Sequence, residues 1–393
     1  MTNQTKPISF ADTEKAYAHL SNKKLLKTYR VYKLLSNKFF VNVGTVLVKI
    51  ANTIYFPVKP FVKNNFYSTF CGGESLKDSV PTINLLQQRN VNIDLNYSVE
   101  TKHSEKEFNK TFSKLKGAIE FASRKSNVNV ICCKPTGLGR HEIIEKYQKE
   151  GKLSQKEQAE FIEMTKRMDK LCSLAKENDI KIYWDAEESW VQKEIDNLVN
   201  ALMKKYNKEK AVVFNTYQMY RVDKLEDLKN NIQQAKEQGY YFGVKMVRGA
   251  YVDKENDWAK EHGVSTVIQK SKQDTDNDFN TAISLCLDNI ENLSLCIASH
   301  NEQSNFFATE LMTAKNIVSN HPNIEFSQLY GMGDFITFNL AENGYNASKY
   351  LPFGPVREVI PYLIRRADEN KSVNGQTGRE LEMLTKEKKR RQL

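Results

Sequence analysis

The adjacent residues Arg365 and Arg366 place two guanidiniums in one predicted helix, with Glu369 on the same side of that helix. Neighbouring side chains on a helix normally point about 100° apart, so a helix that directs both at one target is typical of a site that grips an anion with paired, charge-assisted hydrogen bonds. Glu369 lies four residues after Arg365 and three after Arg366, where its carboxylate can orient both. The pair therefore predicts binding of a small carboxylate. A solvated basic helix end is the alternative that the pair alone leaves open.

Eight short runs of β-branched and aromatic residues alternate with longer, charged, helix-type segments from about residue 90 onward. The runs span residues 91–99, 127–134, 180–187, 211–218, 240–247, 293–300, 324–331 and 346–354. Apolar runs of this kind are typical of parallel strands covered by helices. Eight strand–helix units predict an α/β fold, a (βα)8 barrel of the TIM type. A doubly wound parallel sheet is the alternative.

Polar side chains stand at or near the ends of seven of the predicted strands. These residues are Lys134, Asp185, Glu187, Glu188, Gln218, Lys245, Arg248, Ser299, His300, Asn301, Gln328, Tyr330 and Tyr350. A (βα)8 barrel builds its chemistry at the carboxyl ends of its strands, so these side chains are expected to converge on one mouth. The mouth is expected to be cationic, with Asp185 and Glu369 as counter-charges to the lysines and arginines.

The regions that flank the predicted barrel differ from it in composition. Residues 1–68 are predicted to form a basic, helical N-terminal region, residues 69–370 the barrel, and residues 371–393 a polar, basic and mobile tail. Within the barrel, residues 139–179 predict a helix hairpin. The spacings Ser154 to Glu157 and Thr275 to Asp278 resemble capping boxes at helix starts.

The composition is that of a globular, soluble protein. The chain has 393 residues, 40% of them hydrophobic, with a formal net charge of +10. The excess charge lies mostly at the two ends, which suggests contact with an anionic membrane surface as one function of those ends. We find no nucleic-acid-binding motif and expect no nucleic-acid partner. The six cysteines lack metal-ligand spacing and are expected to be reduced thiols.

The sequence also suggests where the protein resides. It shows no pattern of a signal peptide, and the longest apolar stretch, 39–58, is interrupted by Lys49 and several polar residues. We therefore expect a cytoplasmic protein, with peripheral contact at the inner face of the membrane as a further expectation. The oligomeric state is not indicated by any pattern.

Three other kinds of chemistry have candidate residues in the sequence. Lys134 or Lys245 could form a Schiff base, as in a barrel aldolase. The spacing of Asp274, Asp276 and Asp278 mimics a calcium loop, but the glycine and final glutamate of such loops are missing, so we interpret it as helix capping. His300 has no partner at metal-ligand spacing, so no metal site is expected.

Nine segments, taken in order, resemble the proline dehydrogenase family of flavoenzymes. They are FCGGE (70–74), LNYSVE (95–100), CKPTGLGR (133–140), DAEE (185–188), FNTYQMY (214–220), KMVRGAYVDKE (245–255), ASHN (298–301), QLYGM (328–332) and YLPFG with LIRRADEN (350–354 and 363–370). The resemblance covers about residues 68 to 372. It implies FAD-dependent oxidation of L-proline to 1-pyrroline-5-carboxylate on a (βα)8 barrel, with a quinone as the electron acceptor.

The resemblance also implies roles for individual residues. Lys134, Arg365 and Arg366 would bind the substrate carboxylate, Glu369 would orient the arginines, and Tyr350 would pack beside the substrate ring. Asp185 and Lys245 would be the catalytic residues, and Lys245 stands where many bacterial members have arginine. The remaining residues align with FAD contacts: Ala186, Gln218, Arg248, Gly249, Ala250, Ser299 and His300.

Three other functions remain open from the sequence. Hydroxyproline oxidation is the nearest, although Tyr350 favours proline because its hydroxyl would crowd a 4-hydroxyl group on the substrate. A Schiff-base aldolase would need no flavin. A non-enzymatic scaffold would bind polyanions with a steep dependence on salt.

Overall fold

The computed structural model describes residues 8–37, 62–98, 103–372 and 376–393; within these ranges, the side chains of residues 367–372, 376 and 377 are outside the description. The apolar stretch 39–58, considered above for membrane contact, lies outside the described residues. Within the described residues, no helix combines the length and the apolar character needed to cross a membrane.

Eight parallel strands form a closed barrel in the order of the sequence. They are β1 (Val91–Tyr97), β2 (Val128–Cys133), β3 (Lys181–Trp184), β4 (Val213–Gln218), β5 (Phe242–Val247), β6 (Leu293–Ala298), β7 (Ile324–Leu329) and β8 (Ala347–Phe353). Each observed strand lies within a run predicted from the sequence. The closed order confirms the (βα)8 barrel, and the alternative of a doubly wound sheet is wrong because β1 pairs in parallel with β8.

Fourteen α-helices of four residues or more occur in the described part of the chain. They are α1 (Thr13–Tyr17), α2 (Asn22–Leu35), α3 (Leu76–Gln87), α4 (Glu105–Ala122), α5 (His141–Glu150), α6 (Gln155–Glu177), α7 (Ser189–Tyr206), α8 (Lys224–Glu237), α9 (Val252–His262), α10 (Lys272–Leu287), α11 (Glu302–Ala314), α12 (Asp334–Glu342), α13 (Val356–Ser372) and α14 (Gln376–Arg390). Helices α5 and α6 form the two-helix connection predicted between β2 and β3.

The strands are buried because helices cover the barrel, and this explains their nearly continuous apolar sequences. All six residues of β4 are buried, as are five of the six in β2, β5, β6 and β7. All six cysteines are buried free thiols, and no disulfide joins them in the described structure. The strands thus form a buried core, and polar side chains follow at their carboxyl ends.

One of the two predicted capping boxes is present, and the prediction of the other is wrong. Ser154 and Glu157 form a capping box at the start of α6. Helix α10 instead begins at Lys272, where Ser271 is the N-cap and its Oγ accepts a hydrogen bond from the N–H of Asp274 at 3.1 Å. Thr275 therefore lies inside the helix. The interpretation of all three aspartates as caps is wrong for Asp276, which pairs with Arg248.

The C-terminal segment differs from the mobile tail expected from its composition. Helix α14 is folded, with Met383 and Leu384 buried, and it contacts α1 and α2. The Tyr17 hydroxyl of α1 donates to Glu380 at 3.0 Å. The basic N-terminal helices and the C-terminal helix therefore share a common packed core.

The chain divides into two compact units. The first unit comprises residues 1–100, 300–302 and 326–393, and contains β1, β8 and most of β7. The second unit comprises residues 101–299 and 303–325, and contains β2 to β6.

Candidate active site

In the second unit, a buried ion pair joins Lys245 of β5 to Asp185, the first residue after β3. The Lys245 Nζ lies 2.6 Å from the Asp185 Oδ1, and both residues are less than a tenth exposed. Strand pairing places Lys245 beside Thr216 of β4 and Cys296 of β6, which fixes its height in the barrel. The strands therefore hold one lysine and one carboxylate in a defined contact.

The partner of Lys245 determines its protonation. Burial alone lowers the pKa of a lysine, but the Asp185 carboxylate outweighs it here and raises the pKa of Lys245 above its usual value. The ammonium also lies 6.0 Å from the centre of the Tyr183 ring. Lys245 is consequently a fixed positive charge at neutral pH, and it is a poor nucleophile.

The Lys134 side chain follows β2 and binds a tyrosine that the sequence analysis did not include. Its Nζ donates to the Tyr251 hydroxyl at 2.8 Å and lies 4.0 Å from the Glu187 Oε2. Glu187 also accepts bonds from the N–H and hydroxyl of Thr136, at 3.1 and 2.6 Å. These contacts tie the loops after β2, β3 and β5 together around the lysine.

Residues aligned with cofactor contacts surround the carboxyl ends of β3, β4 and β5 in the second unit. Gln218, the last residue of β4, donates through Nε2 to the backbone oxygen of Glu187 at 2.8 Å. Ala186, in the loop after β3, is buried. Ala250 is exposed. Gly249 has a φ of +130°, and a Cβ there would lie 2.4 Å from the Tyr220 ring, so only glycine fits this position.

Arg248 follows β5, and its guanidinium is held by three hydrogen bonds. Nε donates to Asp276 at 2.7 Å, Nη1 to the Ser299 hydroxyl at 2.6 Å and Nη2 to the Ser304 hydroxyl at 2.9 Å. Ser299 itself follows β6. Two aligned residues, Arg248 and Ser299, are therefore in direct contact, and the structure adds Asp276 and Ser304 to them.

In the first unit, His300 is neutral and presents one buried nitrogen. Burial, followed by the nearby positive charges of Lys349 and Arg366, lowers the pKa of His300 to about 3. Its Nε2 accepts the N–H of Leu329 at 3.3 Å, so the proton of the neutral ring lies on Nδ1. Among the described residues, nothing forms a hydrogen bond with Nδ1. An external acceptor would satisfy it.

The predicted carboxylate-binding residues of the first unit lie on β8 and α13. Tyr350 is the fourth residue of β8, opposite Asp94 of β1, and is partly exposed. Arg365 is half-buried, whereas Arg366 is buried, with its guanidinium 5.2 Å from the centre of the Tyr362 ring. The backbone of Glu369 belongs to α13, but its side chain is outside the described part.

The predicted site residues are thus distributed over both compact units. The second unit contains Lys134, Asp185, Ala186, Gln218, Lys245, Arg248, Gly249, Ala250 and Ser299, and the first contains His300, Tyr350, Arg365, Arg366 and Glu369. Tyr251, Asp276 and Ser304 were not among the site residues predicted from the sequence. Tyr251 lies inside the motif KMVRGAYVDKE, so that motif could have identified it as a site residue. No feature of the sequence around Asp276 indicates that it pairs with Arg248, 28 residues away.

The pattern of the proline dehydrogenase family matches residues 79–379 of the chain. This is more than three-quarters of its length, and the match runs through the barrel and the arginine helix. The chain belongs to the proline dehydrogenase family. Members of this family are flavin-dependent oxidoreductases.

Individual relatives agree with the family assignment. The chain is 32% identical to proline dehydrogenase 1 of Dictyostelium discoideum over 97% of this chain and 74% of that protein. It is 39% identical to proline dehydrogenase 1 of Drosophila melanogaster over 60% of this chain, but only 36% of that protein is covered. Hydroxyproline dehydrogenase of Xenopus laevis is 34% identical over 61% of this chain and 52% of that protein.

Solved structures share the fold at low sequence identity. Proline utilization A from Bdellovibrio bacteriovorus matches with a TM-score of 0.72 and 20% identity, covering 92% of this chain and 38% of that one. The Bradyrhizobium japonicum protein of the same name matches with a TM-score of 0.67 and 18% identity, covering 94% and 42%. These likenesses support the (βα)8 architecture.

The relatives correct one expectation from the sequence. The matched proteins from Dictyostelium, Drosophila, human and fission yeast are all named as mitochondrial. The predicted cytoplasmic localisation is therefore wrong.

Proposed function

We propose that this protein oxidises L-proline to 1-pyrroline-5-carboxylate and uses bound FAD as the electron acceptor. The observation that carries the proposal is the buried pair of Lys245 and Asp185, 2.6 Å apart. A lysine kept charged inside a barrel is suited to stabilise negative charge that develops on a bound group. Because the members of this family are flavoenzymes, we propose that this group is the flavin.

The chain offers several features that fit FAD. Gly249 allows the backbone to approach a ligand closely, and the buried Nδ1–H of His300 is a donor that an acceptor on the cofactor would satisfy. Ala186, Gln218, Arg248, Ala250 and Ser299 are the other proposed contacts. When bound, FAD would accept the hydride that L-proline loses from the ring carbon beside its nitrogen.

The proposal also assigns residues to the binding of the substrate. Arg365, Arg366 and Lys134 would bind the proline carboxylate, because guanidiniums and ammoniums form charge-assisted hydrogen bonds with carboxylate oxygens. Glu369 would orient the arginines, and Tyr350 would pack against the ring. Asp185 would position Lys245 rather than accept a proton from proline, since its Oδ1 already accepts a bond from that lysine.

The electrons from the reduced flavin would pass to a quinone. The names of the relatives suggest that the protein acts in the mitochondrion. The basic helices α2 and α14 are the proposed points of peripheral contact with an anionic membrane, because each basic residue near such a surface contributes about 1 kcal/mol of attraction.

Of the two alternative enzymatic activities, one remains a candidate and the other is disfavoured. Hydroxyproline oxidation remains a second candidate, because a relative with that name covers 61% of this chain. A Schiff-base aldolase that uses Lys245 is disfavoured, because such a lysine needs a lowered pKa and the pKa of Lys245 is raised.

A two-part experiment tests the proposal. The purified protein is heated to release its cofactor, which is identified by chromatography, and the native protein is assayed for reduction of a soluble dye with L-proline and with 4-hydroxyproline. We expect FAD and a higher kcat/KM for L-proline. A higher kcat/KM for 4-hydroxyproline would favour the second candidate, and a protein that binds no flavin would contradict both.

A further inference from the structure

Arg248 has hydrogen-bonding capacity that its observed contacts do not use. A guanidinium carries five N–H groups. The bonds to Asp276, Ser299 and Ser304 use one N–H on each of the three nitrogens. One N–H on Nη1 and one on Nη2 are left over, and N–H groups of a guanidinium form charge-assisted hydrogen bonds with phosphate oxygens.

Helix α10 fixes the guanidinium of Arg248 both at its edge and on its face. Asp276 accepts from Nε at the edge, and the Phe279 ring centre lies 4.3 Å from the guanidinium carbon. Asp276 and Phe279 are three residues apart, so they project from the same side of the helix. Asn280 of α10 also accepts the hydroxyl of Ser304 at 2.7 Å, which orients another partner of the arginine.

Asp276 is an ionised residue that is not needed for capping the helix. Ser271 already caps α10, and the Asp276 side chain is 17% exposed. Burial would raise its pKa, but hydrogen bonds from Lys272 and Arg248 outweigh burial and hold the pKa of Asp276 below its usual value. A negative charge in this place therefore persists at neutral pH and faces the arginine.

We propose that Asp276 is a positioning residue for the cofactor, which holds Arg248 so that its two remaining N–H groups bind the phosphate oxygens of FAD. The inference rests on the proposed function, because it requires a flavin dinucleotide. It assigns a role to the aspartate run at 274–278 that differs from both calcium binding and helix capping. Asp276 acts through Arg248 and does not itself contact the cofactor.

The test measures the Kd of FAD by flavin fluorescence for apoprotein variants. Asp276→Ala removes the acceptor and should raise Kd about tenfold, the effect of losing one well-oriented charged hydrogen bond. Asp276→Asn keeps an acceptor oxygen and should restore part of the affinity. Asp278→Ala is the matched control, because Asp278 lies on the same helix and binds Gln269 instead. It should leave Kd unchanged.

A double-mutant cycle separates positioning from a general loss of structure. In an Arg248→Met background, Asp276→Ala should change Kd by less than twofold, because the arginine through which it acts is gone. An unchanged Kd for Asp276→Ala, or the same tenfold loss in the Arg248→Met background, would overturn the inference. Failure of the wild-type protein to bind FAD would instead overturn the proposed function, and the inference with it.

Discussion

Lys245 is the residue on which the proposed chemistry most depends. A lysine presents a compact charge without the fork of an arginine, so its direction must be set by a partner. Asp185 is that partner, and the contact is buried. We therefore expect Lys245 to tune the reduction potential of the flavin.

Replacement of both members of the pair tests this role. Lys245→Met alone would leave the Asp185 carboxylate buried without its ammonium, which is strongly destabilising. The double variant Lys245→Met with Asp185→Asn removes both charges and keeps similar volumes. We expect its bound flavin to have a midpoint potential more negative by tens of millivolts, measured by spectroelectrochemistry. A potential equal to that of the wild type would contradict the assignment of Lys245.

Arg366 is expected to act on the substrate rather than on the flavin. Arg366→Met should raise the KM for L-proline about 10- to 100-fold, since a hydrogen bond to a charged group contributes about 1.5–3 kcal/mol. The flavin content should stay the same. Arg357→Met is the control, because Arg357 lies on the same helix and is exposed. Equal KM values for the wild type and Arg366→Met would refute the carboxylate assignment.

At the level of single residues, the sequence could identify candidates but not their contacts. Lys134, Lys245 and Arg248 stand out because each lies at or near the carboxyl end of a predicted strand, and a barrel brings these ends to one mouth. Their partners Tyr251, Asp185 and Asp276 depend on strand register and on the path of helix α10. Such contacts are made between distant parts of the chain and have no local signal.

Helix α14 shows why an element can be missed. Its buried residues Glu380, Met383, Leu384 and Glu387 follow a helical spacing, but two of the four are glutamates. Glu387 can be buried because it pairs with Arg390 and Arg391. A purely hydrophobic pattern does not reveal a buried stripe in which half of the residues are glutamates that find polar partners in the folded protein.

A core substitution distinguishes a packed helix from a mobile tail. Leu384 is fully buried, so Leu384→Ala should lower the free energy of unfolding by about 2–5 kcal/mol. Lys389→Ala, on the exposed side of the same helix, should lower it by less than about 0.5 kcal/mol. Thermal unfolding of both variants measures the difference. Identical melting temperatures would mean that α14 does not contribute to the core.

Glu380 of α14 connects the C-terminal helix to the loop that follows β7. Its Oε2 accepts the N–H of Gly333 at 2.8 Å, and Gly333 is the N-cap residue of α12. Burial, together with the nearby Asp334 carboxylate, raises the pKa of Glu380 to about 7, while Lys349 and the Tyr17 hydroxyl act in the opposite direction. The carboxyl group is therefore poised to titrate near neutral pH.

The raised pKa of Glu380 predicts a pH-dependent stability. The unfolded chain ionises Glu380 near its ordinary pKa of about 4.5, whereas the folded protein keeps the proton until about pH 7. The stabilising contribution is therefore complete below about pH 4.5 and is lost as the pH rises to about 7, and the loss is no more than about 3.4 kcal/mol. His19 and His300 have lowered pKa values and act in the opposite sense, as their contribution is lost when the pH falls.

Comparison with Glu380→Gln isolates this effect, because the histidines are common to both proteins. The melting temperature of the wild type relative to Glu380→Gln should fall between pH 5 and pH 7.5. Glu382→Gln, an exposed neighbour on α14, should follow the wild type at every pH. A constant difference between wild type and Glu380→Gln over this range would contradict the raised pKa.

At the scale of the whole molecule, the fold could be predicted in outline. Eight apolar runs that alternate with helix-type segments predicted the barrel, because parallel strands buried under helices leave a strong signal in the sequence. The packing of both terminal segments could not be predicted, since it depends on contacts such as that between Tyr17 and Glu380, 363 residues apart. The compartment was predicted wrongly, because composition does not determine it.

The most direct test of the central claim is an anaerobic titration of the purified protein with L-proline, followed by the visible absorption of its flavin. We expect L-proline to bleach the flavin, with one equivalent of flavin reduced per proline oxidised. A flavin that stays oxidised at saturating L-proline would contradict the proposed activity.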